Sequence, residues 1–86
     1  MEFPQYRKRF DEKAFYKITS LTTFEEIQLI GKRFFFHNVQ AKKYFEQLQV
    51  RDMLEVSLPL YQMSSQDEYN HQLGNAREYM TSKQEK

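Results

Sequence analysis

The residues with the most chemical potential in this chain are two histidines, a pair of neighbouring carboxylates and three basic clusters set among aromatic rings. His37 and His71 fall in different segments, and no cysteine occurs anywhere. Zinc-type sites need several imidazole, thiolate or carboxylate ligands at set spacings, and no HxxxH or HExxH pattern supplies them. No metal and no cofactor is expected. The two glycines, Gly31 and Gly74, belong to no GxGxxG or GxxxxGK[ST] loop, and no GxSxG elbow marks a serine nucleophile. Glu25 and Glu26 are adjacent. On a strand they point to opposite faces, so they cannot share one proton or one metal. The expectation is a protein that is not an enzyme.

Cations interleaved with rings are the remaining pattern. Arg7, Lys8 and Arg9 sit between Tyr6 and Phe10; Lys32 and Arg33 precede Phe34, Phe35 and Phe36; Lys42 and Lys43 precede Tyr44 and Phe45. Exposed rings that stack on bases, with cations on phosphates, hold single-stranded nucleic acid. Against this, thirteen basic residues face twelve acidic ones, a net charge of +1, and the RNP pattern of RRM sheets is missing. The charge is uneven: residues 1–43 carry +4 and residues 44–86 carry −3. Such a dipolar chain suits docking on a charged partner or on itself. The candidate interaction surface is Arg7, Lys8, Arg9, Lys32, Arg33, Phe34, Phe36, Lys42 and Lys43.

Which elements position these residues follows from periodicity. The chain has 86 residues, 40% hydrophobic and 16% aromatic, enough for one small domain spanning 1–86. Residues 1–12 read as an irregular basic lead-in, with Phe3, Tyr6 and Phe10 tucking rings against the core. Residues 14–19 alternate as a strand, with Ala14, Tyr16 and Ile18 on one face and Phe15, Lys17 and Thr19 on the other. Residues 23–30 and 33–41 flank Gly31-Lys32, the signature of a tight hairpin whose first central position takes glycine at positive φ. A helix over this stretch competes, because Thr22 and Thr23 each precede a glutamate by three. Three consecutive phenylalanines and the placement of Gly31 favour the hairpin.

From Lys42 the period becomes helical across roughly 42–56, with Ala41, Tyr44, Phe45 and Leu48 as its core stripe. Pro59 ends this helix or separates it from a short extended piece, residues 58–63. A last helix is capped by Ser65 with Glu68 reciprocating, and buries Tyr69, Leu73, Ala76 and Met80. Gly74 within it suggests a close approach of helix to sheet, and residues 81–86 are expected to fray. The expected fold class is α+β: a small antiparallel sheet of three to four strands with two helices packed on one face. A sheet covered on one side leaves rings of Phe34–Phe36 exposed, which marks an interface and makes a symmetric homodimer one closed solution.

The succession Phe3-Pro4-Gln5-Tyr6-Arg7-Lys8, Phe15-Tyr16-Lys17-Ile18, Phe24-Glu25-Glu26-Ile27-Gln28, Ile30-Gly31, Ala41-Lys42 and Asp52-Met53-Leu54 resembles a group of short uncharacterised bacterial proteins of unknown function. The resemblance implies a stand-alone small protein and carries over no functional residue. No apolar run approaches the ~20 residues of a membrane span, and the start lacks the apolar segment of a secretory signal. A cytoplasmic location and no membrane contact are therefore expected. The leading functional expectation is a small non-catalytic binding or adaptor protein, acting through a protein partner or self-association. The alternative is a single-stranded nucleic-acid-binding module.

Overall fold

Gly31 takes φ +62 and reverses the chain as the sequence requires. Its two flanks pair antiparallel from Ile30↔Arg33 to Thr23↔Gln40. The computed structural model describes residues 2–56 and 60–84. Five strands are present: β1 (Gln5–Arg9), β2 (Ala14–Ser20), β3 (Thr23–Ile30), β4 (Arg33–Gln40) and β5 (Tyr61–Met63). Two helices join them, α1 (Tyr44–Leu54) between β4 and β5, and α2 (Gln66–Gln84) at the end. The sheet order is β4-β3-β2-β1-β5, antiparallel throughout. The first four strands form a meander. α1 then carries the chain back to the opposite edge, where β5 pairs with β1.

The class is α+β, with more strands than the three or four expected. Two are the reason. The expected irregular lead-in holds β1, which lies between β2 and β5. The extended piece after Pro59 supplies β5; residues 57–59 lie outside the described residues. A run of three cations conceals a strand because alternation sends Arg7 to one face and Lys8 to the other.

The helices do not share a face. Ala14, Tyr16 and Ile18 of β2 and Phe24 of β3 pack with Val50 and Met53 of α1. Phe15 and Ile27, pointing the other way, pack with Tyr69 and Ala76 of α2. Alternation along β2 is therefore as expected, but both of its sides are buried. The domain is a helix–sheet–helix sandwich with two small cores. A strand with large apolar residues on both sides, Phe15 against Tyr16 and Ile18, needs cover on both.

α2 follows its expected stripe. Tyr69 and Ala76 are buried, Leu73 and Met80 pack beside them, and the helix lies over β2, β3 and β4. The Ser65 hydroxyl accepts the Glu68 N–H at 3.1 Å, closing the first turn. Glu68 does not reciprocate. Its carboxylate accepts from the Ser64 hydroxyl at 2.6 Å and from Lys8 at 3.0 Å. Gly74 has open space where a Cβ would stand, so no close approach explains it. Helix continues to Gln84, where fraying from residue 81 was expected, and residues 85–86 lie outside the described set.

Candidate interaction surface

α1 is apolar on two sides. On one side Val50 and Met53 are almost fully buried against the sheet. On the other, Tyr44 is 76% exposed, Phe45 73% and Leu48 38%. At 100° per residue these two sets point in opposite directions, and a single sheet can bury only one. The expected core stripe of Ala41, Tyr44, Phe45 and Leu48 is thus corrected. Ala41, just before the helix, is buried, while the other three face outward. The phase is set by Val50 and Met53, and by Arg7, which grips the helix's last turn.

That grip settles the fate of the first basic cluster. Arg7 is only 5% exposed. Its Nε donates to the Met53 carbonyl at 2.8 Å and Nη2 to the Leu54 carbonyl at 3.4 Å. Nη1 donates to the Tyr6 carbonyl and Nη2 to Gln5 Oε1, at 2.8 and 2.7 Å. A cation on the C-terminal carbonyls of a helix satisfies orphan acceptors and opposes the macrodipole. Burial lowers the Arg7 pKa from its ordinary value. Arg7 is therefore structural and unavailable to a partner.

Its neighbours are also engaged. Lys8 crosses to the α2 side and pairs with Glu12 at 2.7 Å and Glu68 at 3.0 Å, which raise its pKa. Arg9 holds both oxygens of Asp11, Nε to Oδ1 at 3.0 Å and Nη2 to Oδ2 at 2.8 Å. This fork depresses the Asp11 carboxyl to about 2.

The other clusters stay exposed but apart. Lys32 and Arg33 sit at the β3–β4 turn; Lys42 and Lys43 lie beyond the far end of β4. Eight residues of strand separate them by roughly 25 Å. Phe34 and Phe36 turn toward α2, Phe34 at 6.1 Å from the Tyr79 ring and Phe36 beside Leu73 and Met80. They are half-buried core rings. Phe35, on the other face, is 38% exposed. The nine candidate residues do not converge on one surface.

Glu25 and Glu26 diverge as alternation demands. Glu25 accepts the Tyr69 hydroxyl at 3.0 Å under α2. Glu26 lies on the α1 face, across from His37 of β4 and Tyr16 of β2. Burial, reinforced by Glu25, pushes the Tyr69 phenol far above its ordinary pKa; burial, reinforced by Glu26, does the same for Tyr16. His37 and His71 are both exposed, and they sit on opposite sides of the domain. Among the described residues no group of three or more His, Asp or Glu could hold one metal ion. No described helix is long and apolar enough to cross a membrane.

What the fold does assemble is a ridge and a groove around α1. Tyr44, Phe45 and Leu48 form the ridge. Beside it, Leu21 of the β2–β3 turn and Gln47, Val50, Arg51, Leu54 and Glu55 line an open groove of about 260 Å³. Leu21 is itself 62% exposed. The two ridge rings alone present about 300 Å² of largely apolar surface. That equals the largest patch many monomers carry, and the leucines extend it. Sequence reasoning placed Tyr44, Phe45 and Leu48 in the core. The apolar positions on opposite sides of α1, Tyr44-Phe45-Leu48 against Val50-Met53, were the signal that one sheet could not bury them all.

A scan against protein-family models, a search of curated proteins and a search of solved structures each return no match to this chain.

Proposed function

We propose that this chain is a small non-catalytic binding protein whose working surface is the outward side of α1. The observation that carries the reading is the exposure of Tyr44, Phe45 and Leu48 on a helix whose opposite side is already anchored in the core. Leaving two aromatic rings in water forfeits several kcal/mol of burial, roughly 1.5–3 per large side chain. A partner that covers them recovers it. The adjoining groove is too small and too open for a cofactor but accepts one side chain of a docked protein. The basic clusters do not support the nucleic-acid alternative in the same way. One is tied up in internal hydrogen bonds and ion pairs, and the other two lie at opposite ends of β4.

A photo-crosslinking residue in place of Phe45 tests this in cells. A defined protein adduct that disappears when Leu48→Arg is added is the expected result. The same crosslinker at His71, on α2, serves as control. Adducts to nucleic acid, or none beyond the control, would refute the reading.

A further inference from the structure

Resting on that reading of α1, we infer that the partner is a second copy of this chain, with the two α1 helices packed antiparallel about a two-fold axis.

The charge order of the helix is the first argument. Lys42 and Lys43 stand at its N-terminal end, Lys43 being the N-cap, and Glu55 is the C-cap. Helix dipoles favour acids at the start and bases at the end. Glu46 and Arg51, inside the helix, follow that preference, but the terminal charges oppose it. Among the described residues, the ion pair that relieves them is a loose one between Arg51 and Glu55 at 3.8 Å, both well exposed. An antiparallel copy lays Glu55 of one chain beside Lys42 and Lys43 of the other, at both ends of the contact. Counting Lys42 through Glu55, the segment holds three cations and three anions. Its net charge is zero, which suits self-pairing and gives an anionic surface no net attraction.

Shape is the second. Tyr44, Gln47, Arg51 and Glu55 follow at i, i+3, i+7 and i+11, so the Tyr44 ring stands on the same flank as the groove. A two-fold axis perpendicular to α1 reverses the helix direction but keeps that flank on the same side. Tyr44 of each copy then lies over Leu21, Arg51 and Leu54 of the other. Leu48, mid-helix, meets its own equivalent near the axis. An isologous contact of this kind closes on itself as a dimer. A stable interface needs ~800 Å² per partner; the two ridge rings supply about 300 Å² of it, with Leu48, the groove and the charged ends beside them.

Sedimentation of the full chain with two charge-swapped variants tests the inference. Lys42→Glu/Lys43→Glu makes both ends of α1 acidic, and Glu55→Lys makes both ends basic. Each swap puts charge where the dipole prefers it, and neither removes a buried contact, so both variants fold. At about 100 μM, above the dissociation constants usual for such interfaces, the wild type is expected as a dimer. Each variant alone is expected to bind itself at least tenfold more weakly. Their equimolar mixture is expected to recover a heterodimer. A monomeric wild type, or variants that dimerise undiminished, would overturn the inference. So would recruitment of monomers to phosphatidylserine vesicles. The crosslinker at residue 45 separates the two levels. An adduct to a different protein sinks the second copy and leaves the binding surface standing; no adduct sinks both.

Discussion

Replacing Arg7 is the sharpest test of how this fold is held together. The guanidinium joins β1 to the last turn of α1 through the Met53 carbonyl at 2.8 Å. A hydrogen bond from a charged donor contributes about 2 kcal/mol net. The favourable position at a partly buried helix C-terminus adds about 1 kcal/mol. The buried stem, lost on truncation, adds about 1 kcal/mol more. Arg7→Ala should therefore destabilise by about 4 kcal/mol, a large share of the ~4–13 kcal/mol expected for a domain of this length. Arg7→Lys keeps charge and stem but loses the fork, and Arg7→Met keeps only packing. Both should fall between wild type and alanine. Urea unfolding followed by far-UV circular dichroism reads this directly. With a slope of about 1.2 kcal/mol/M, the midpoint drops by about 3 M for alanine. An alanine variant within ~0.5 kcal/mol of wild type would mean that Arg7 behaves as an ordinary surface residue, and the account of α1's anchoring would fail.

Gly74→Ala should raise stability by up to about 1 kcal/mol, because it sits mid-helix with open space around it; a lower thermal midpoint would contradict that. Gly31→Ala should lower stability by about 1–2 kcal/mol, since φ +62 strains any residue with a Cβ, and the same melt checks it. Alkaline pH should unfold the protein through Tyr16, Tyr61 and Tyr69, whose phenols burial holds above their ordinary pKa. Their folded pKa values are raised, so their contribution is complete below about pH 10. Above that the unfolded chain releases protons before the folded one does, and stability falls, by up to about 1.4 kcal/mol per pH unit each for Tyr16 and Tyr69, whose phenols are pushed furthest. Tyrosinate absorbance from these three should appear only with unfolding; their ionisation in the native state near pH 10 would contradict the burial.

Local patterns were legible where one interaction decided them. The hairpin at Gly31 needed only a residue tolerant of positive φ between two apolar runs. The stripe Tyr69, Leu73, Ala76 and Met80 had a single apolar side, so its burial followed from spacing. Alternation in β2 and the divergence of Glu25 and Glu26 came from the two-residue period of a strand. β1 was hidden because Arg7, Lys8 and Arg9 read as solvated charge. Nothing within the segment reveals that carbonyls of a helix some 46 residues later would receive one of them.

The sequence by itself determined the class of elements, their order from Ala14 onward, the hairpin and the inward side of α2. Tertiary structure alone decided that the helices cover opposite faces, that Arg7 lies inside, and that α1 buries Val50 and Met53 while Tyr44, Phe45 and Leu48 remain outside. Periodicity names the sides of an element but not the neighbour that takes each one. A helix with two apolar sides, like a strand with two, is resolved only when the rest of the chain has packed around it.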